Sequence, residues 1–204
     1  PPVLRIIALS ATLPNVGDIG LWLGCPQEGI HYFDETYRPV PLEVRCLTYG
    51  NSLKDKEFLF DKRLMEHVPD VVKKHSIGRG CIIFCHTVRQ TIDLAKSLLE
   101  RLGAKKYDVQ KTTSEHLDLC SQIKDPILRS YAKQGYAYHN SQLSANDRDA
   151  VERLFTAGHV LVLCSTTTLA HGMNLPAYCV IIKGTKAWRG ADSGYVDITK
   201  SDII

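Results

Sequence analysis

Short apolar runs and helical apolar stripes alternate along this chain. Leu4-Arg5-Ile6-Ile7-Ala8-Leu9, Cys81-Ile82-Ile83-Phe84-Cys85, Val160 to Cys164 and Tyr178 to Ile182 are nearly continuous apolar stretches of five or six residues. Such runs mark strands buried on both faces of a parallel sheet. Between them the spacing changes to that of one helix face. Asn15 to Leu23 predicts a short helix opening beside Pro14, and Leu64, Val68, Val71 and Val72 mark a second. Val88, Ile92, Ala95, Leu98, Leu99 and Leu102 form a third stripe that stops at Gly103. Ser114 to Gln134 is helical with a break at Pro126, and Ser144 caps a helix whose Val151, Leu154 and Phe155 face inward, closed by Gly158. A short helix is expected from Thr167 to His171. Strands alternating with helices predict an α/β fold.

Two segments break that rhythm. His31 to Tyr49 alternates apolar and polar residues but is interrupted by Arg38-Pro39-Val40-Pro41, which suits an edge strand or an extended connector. Lys183 to Ile198 holds a turn-forming stretch, Gly190 to Gly194, between two short runs, and predicts a β-hairpin near the C-terminus. The chain begins Pro1-Pro2 and enters an apolar run at once, while Thr199-Lys200-Ser201-Asp202 resembles a capping box beside the last residue, Ile204. Both ends are expected to continue into a larger protein.

Composition narrows the picture only a little. With 204 residues, 44% hydrophobic and 23% charged, the chain can bury one good core. A formal charge of +3 is too small to argue for nucleic acid, so any such argument rests on motifs. The seven cysteines are odd in number, lie mostly in apolar runs and include no paired Cys-x-x-Cys, which suggests buried reduced thiols, a reducing compartment and no metal. No run approaches the ~20 apolar residues that span a bilayer, so a soluble protein without a membrane partner is expected.

In parallel α/β sheets, ligands sit at the carboxyl ends of the strands. The residues at those ends are Ser10-Ala11-Thr12, His86-Thr87-Val88-Arg89, Ser165-Thr166-Thr167-Thr168 and Lys183-Gly184-Thr185. They offer hydroxyls and backbone amides beside helix N-termini, which suit oxyanions such as phosphate. Ordinary helix capping also uses Ser and Thr there. One cap needs one hydroxyl, however, and Ser165 to Thr168 supplies four in succession.

The same segments, taken in order, resemble the superfamily two nucleic-acid helicases of the Ski-like group. Ser10-Ala11-Thr12 followed by Leu13-Pro14-Asn15 is similar to motif III, and Cys81 to Thr87 to motif IV. Ser165-Thr166-Thr167-Thr168-Leu169-Ala170-His171-Gly172-Met173-Asn174-Leu175-Pro176-Ala177 is similar to motif V, and Phe33-Asp34-Glu35 with Arg38 to Leu42 to the linker between two motor domains. Within the group, Tyr136-Ala137-Tyr138-His139, Asp147-Arg148 with Val151-Glu152, and Ile181 to Thr185 resemble the meiotic crossover helicases. The His139-Asn140-Ser141-Gln142 loop departs from the group's His-His-Ala-Gly, so it either touches nucleic acid or only leads into the helix after Ser144.

The resemblance implies a RecA-like parallel sheet flanked by helices, the second motor domain of a helicase. Residues 1–30 would be the end of a first motor domain, 31–50 a linker strand and 51–204 the second motor domain. Ser10 and Thr12 would couple nucleotide state to strand grip. His86, Thr87, Arg89, Thr166, Thr167, Thr168, Lys183 and Trp188 would contact nucleic acid, and Gly172 and Asn174 would face the nucleotide. ATP and Mg²⁺ would be cofactors of the intact enzyme. Its partners would be single-stranded or branched DNA and the rest of its own chain, and its compartment the nucleus. An RNA helicase of the same group, or a silent helicase cassette serving as a scaffold, are the alternatives. No Gly-x-x-x-x-Gly-Lys-Ser/Thr occurs, and the arginines of motif VI should follow Ile204. The chain alone is therefore expected to lack ATPase activity. Asp34-Glu35 lies in the linker and is not read as a Mg²⁺ motif.

Overall fold

A computed structural model of the chain describes residues 4–10, 13, 15–50, 57–103, 113–166, 175–188 and 194–198, with only the backbone given for Ala187 and Trp188. It divides into two compact units, Pro1–Gly50 and Asn51–Ile203.

The first unit contains helix α1 (Val16–Trp22), single 3-10 turns at Gln27–Gly29 and Glu35–Tyr37, and otherwise extended chain. The buried strand expected at Leu4 to Leu9 is not formed: residues 4–10 carry no strand, and Leu9 is 93% exposed. A parallel strand is held by ladder bonds from neighbours, and no described residue of this unit supplies one. Residues 38–50 form neither helix nor strand, and the chain bends at 39–40. Asp34 caps the second 3-10 turn by accepting from the Thr36 amide at 2.9 Å, and Glu35 pairs with Arg38 at 3.0 Å, so both acids serve local structure.

The second unit is an α/β structure, a parallel sheet flanked by helices. Its order is α2 (Glu57–His75), β1 (Cys81–Phe84), α3 (Val88–Leu102), α4 (Ser114–Gln122), α5 (Pro126–Ala132), β2 (Tyr136–His139), α6 (Ala145–Thr156), β3 (Val162–Ser165) and β4 (Cys179–Ile182). The hairpin strands β5 (Lys186–Trp188) and β6 (Tyr195–Asp197) follow. The four longer strands form one parallel sheet in the order β2-β3-β1-β4. The expected hairpin is present, with Trp188 opposite Tyr195 in antiparallel register.

The core is the apolar content of those runs: Ile83, Leu94, Leu98, Val151, Leu154 and Leu163 are fully enclosed. Each such side chain contributes about 1.5–3 kcal/mol on burial. That outweighs a local defect in α2, where Pro69 interrupts the helical bonding at a cost of about 3 kcal/mol. Val68, Pro69 and Val72 are all buried, and the helix runs on to His75. Gly80 lets the chain enter β1 closely: a Cβ there would lie 3.1 Å from the Pro176 carbonyl and 3.3 Å from the Phe155 ring. Tyr136, Ala137, Tyr138 and His139 are buried as β2, a strand that apolar runs alone do not announce.

Helix starts follow the capping residues. Thr87 accepts from the Gln90 amide, Thr113 from His116, Asp125 from Ile127 and Leu128, and Ser144 from Asp147. The expected helix at 167–171 and the capping box at 199–202 lie outside the described residues.

Candidate nucleic-acid interface

Parallel register puts four of the segments singled out above in one row. Phe84 lies opposite Ser165 and Ile182, and Ser165 opposite His139. The next residue of each strand therefore stands at the carboxyl edge of the sheet: Cys85, Lys183, Thr166 and Asn140. Backbone bonds tie the row together. Cys85 donates to Ser165 at 2.7 Å, Thr166 to His139 at 3.3 Å and Lys183 to Phe84 at 3.3 Å.

The groups in this row do different things. Thr87 is exposed at the start of α3, where its hydroxyl caps the helix and keeps its own proton to donate. Arg89, on the same first turn, pairs with Asp93 at 3.0 Å on the open surface. Such a pair is worth little in water, so this guanidinium can exchange Asp93 for a phosphate at small cost. Thr166 is half-buried. Ser165 is buried and donates to the Thr166 carbonyl at 2.9 Å, so the first hydroxyl of the run braces the backbone.

His86 and Lys183 are placed differently from the expectation that they face a strand. Lys183 is 3% exposed, and its ammonium is bound by the Asp61 carboxylate of α2. The parity of β4 explains this: Lys183 points the same way as Cys179 and Ile181, into the domain. The His86 ring is also turned inward, 3.9 Å from Asp61, and its Nε2 has no hydrogen-bond partner. Burial and the nearby Lys183 charge hold its pKa below the ordinary value, so the ring is neutral. Both belong to the framework beneath the carboxyl edge of the sheet.

That framework includes residues that the motif reading passed over. Asp61 accepts from Gln90 Nε2, and Gln90 Oε1 accepts from the His86 amide at 3.2 Å. Asn140 is 1% exposed and donates to Thr91 Oγ1 at 3.0 Å, while its Oδ1 accepts from the Gln142 amide at 3.1 Å. The His139 ring meets Glu152 of α6 at 2.8 Å. Asp61 had a signal: it shares the helical stripe of Leu64, Val68 and Val72, where an acid is out of place unless paired.

Beyond β4, the hairpin root leans on α2. Lys186 reaches Glu57 at 2.7 Å, one turn before Asp61. Between them is a cleft of about 180 Å³ walled by Phe60, Leu64 and Tyr195. Of the remaining expected residues, Ser10 is exposed in the first unit, and Trp188 is fixed only through its place in β5. Thr12, Thr167, Thr168, Gly172 and Asn174 lie outside the described residues. Among the described residues no group of three or more His, Cys, Asp or Glu is placed to hold a metal ion.

Residues 62–193, from inside α2 through the hairpin turn, match the family model described as the helicase conserved C-terminal domain. The chain belongs to that helicase family. Within it, the chain is 40% identical over 208 residues to the ATP-dependent DNA helicase MER3 of Saccharomyces cerevisiae (strain ATCC 204508 / S288c), covering 98% of the chain and 16% of the relative. It is 37% identical over 206 residues to the MER3 homolog of Oryza sativa subsp. japonica, covering 98% and 17%. It is also 35% identical over 204 residues to the DExH-box ATP-dependent RNA helicase DExH14 of Arabidopsis thaliana, covering 98% and 9%. The chain thus spans about a sixth of the MER3 relatives and less of the RNA helicase. In open parallel α/β sheets ligands bind outside the carboxyl ends of the strands.

Proposed function

We propose that this chain carries the core of the second motor domain of an ATP-dependent 3′-to-5′ DNA helicase that acts in meiotic recombination in the nucleus, and that the carboxyl edge of its sheet holds the phosphates of the tracking strand. The observation that carries this is the juxtaposition of Thr87 and Arg89 at the first turn of α3 with Thr166 at the end of β3, on adjacent strands of one parallel sheet. Their donors are hydroxyls, a guanidinium and helix-terminal amides, which bind oxyanions without regard to base. Thr167 and Thr168 extend the same run of hydroxyls. DNA as the substrate rests on the likeness to the MER3 DNA helicases, and meiosis as the setting on the resemblance of Tyr136 to His139, Asp147 to Glu152 and Ile181 to Thr185 to the meiotic crossover helicases.

Gly172 and Asn174 of the fifth motif are proposed to face the nucleotide, and Ser10 with Thr12 to relay its state. The phosphate loop, the Mg²⁺ carboxylates and the arginine finger would come from the rest of the protein, so the chain alone should not turn over ATP. RNA is the second reading, favoured by the similar identity to the DExH14 RNA helicase.

The test uses the intact protein. Thr166→Ala combined with Thr167→Ala should weaken single-strand binding by about 0.5–1.5 kcal/mol for each hydrogen bond removed, to the same extent for different base sequences. Unchanged affinity at fixed salt would remove the assignment. Parallel assays on 3′-tailed and 5′-tailed DNA and RNA duplexes decide polarity and substrate.

A further inference from the structure

We propose that Asp61 is a positioning residue that locks the β1–α3 loop and the root of the hairpin into one rigid arrangement, so that the strand held at the first moves with the second. This rests on the reading of the loop as a strand contact and of the hairpin as a part acting on the duplex. Asp61 lies on α2, far in sequence from both. It is 7% exposed, and each of its oxygens has a separate task. Oδ1 binds the Lys183 ammonium, at the junction where β4 gives way to the hairpin. Oδ2 accepts from Gln90 Nε2, and the same Gln90 amide group accepts the His86 N–H through Oε1. One carboxylate therefore connects the hairpin root to the backbone of the loop carrying Thr87 and Arg89.

The surroundings tighten the link. Gly184 has φ near +80°, and a Cβ there would lie 3.3 Å from both His86 Nε2 and Leu64 Cδ1, so the hairpin leaves β4 in direct contact with the loop and with α2. One helical turn earlier, Glu57 holds Lys186, three residues further into the hairpin. Two acids on one face of α2 thus grip two lysines on the hairpin root. A buried Asp–Lys pair is poor evidence of stabilisation, since an apolar pair of similar volume does as well or better. Direction is what the charged pair adds: it fixes the distance and orientation of the elements it joins.

That difference gives the test. In the intact protein, Asp61→Leu combined with Lys183→Met replaces the pair by apolar volume, and Gln90→Leu cuts only the arm to His86. The double variant should keep the melting temperature of the parent, and Gln90→Leu should melt somewhat lower because Asp61 Oδ2 and the His86 N–H lose their partners. Both, assayed well below their melting temperatures, should keep the parental ATP turnover while base pairs opened per ATP fall about fivefold or more. Amide exchange should quicken at His86 in both variants, and at residues 186–188 and 195–197 in the double variant. Parental coupling with parental exchange in folded variants overturns the proposal. So does a loss of coupling that only tracks a loss of melting temperature, which marks Asp61 as merely structural. If the double variant does not fold, Gln90→Leu alone decides between these outcomes. Arg89→Ala in the parent separates the proposal from the reading beneath it. If strand binding survives Arg89→Ala while exchange changes as stated, the lock stands and the strand assignment fails; if binding falls but exchange and coupling are parental in the Asp61 and Gln90 variants, the lock fails alone.

Discussion

The side-chain amide of Asn140 donates to the Thr91 hydroxyl at 3.0 Å, joining the end of β2 to the first turns of α3 inside the domain. Thr91 passes its own proton to the Val88 carbonyl at 2.7 Å. Replacing Asn140 by Leu takes the donor from the buried Thr91 hydroxyl, and the acceptor from the backbone N–H of exposed Gln142. The expected loss is about 1–3 kcal/mol of stability, read as a lower urea midpoint at unchanged slope. A loss within about 0.5 kcal/mol would mean that water replaces the amide.

Acid should loosen the second unit through its buried histidines. Burial holds His86, His116 and His139 below their ordinary value of 6.5. Lys183 adds to the effect at His86, His159 at His116 and Arg148 at His139, while Asp61 and Glu152 oppose it at His86 and His139. Because the folded values are depressed, the unfolded chain binds protons first. Stability is then full above pH 6.5 and is lost as pH falls below it. The melting temperature should drop between pH 7.5 and 5.5. His116→Gln should flatten that slope, because His116 stacks on His159 with Nδ1 unpartnered. A melting temperature that rises toward acid would contradict the sign.

Thiol labelling should divide the cysteines by burial. Burial pushes the Cys85 thiol up to about 12 and raises Cys120 and Cys164 as well, and thiols react as thiolates. Iodoacetamide at pH 8 should modify exposed Cys46 in the native chain and spare Cys81, Cys85, Cys120 and Cys164 until urea is added. Native labelling of Cys164 ahead of Cys46, seen by peptide mass, would mean that the sheet opens.

The hairpin carries the remaining prediction. If Trp188 stacks on a base, Trp188→Ala in the intact protein should slow strand separation about tenfold while ATP turnover and melting temperature hold, since such stacking is worth about 1–3 kcal/mol. A parallel fall in all three quantities would make the tryptophan a packing anchor.

Apolar runs and capping residues place β1, β3, β4, α3 and α6 within a residue or two and show that α2, α4 and α5 exist, but the stripe from Leu64 to Val72 does not show that α2 begins at Glu57. β2 was not legible that way. Its Tyr-Ala-Tyr-His sequence lacks an aliphatic run and is a strand because β3 lies alongside it. The error at Leu4 to Leu9 is the reverse case, an apolar run without a ladder. At the interface, spacing located the strand ends but not the direction of each side chain. Lys183 and His86 turn inward because Asp61, more than a hundred residues from Lys183, awaits them, and a linear reading shows that partner only as an acid on an apolar stripe.

The strand order β2-β3-β1-β4 also has a temporal meaning. Among the described residues β1 pairs with β3 and β4, and β2 with β3, so none of these strands finds its partner in the sheet until residues 162–165 exist. On the ribosome the sheet therefore starts only when β3 enters between β2 and β1, and it is complete only when β4 follows on the other side of β1. Closure over such separations is slow, which makes the nascent chain a natural client for chaperones and makes any break before β3 fatal to the whole layer.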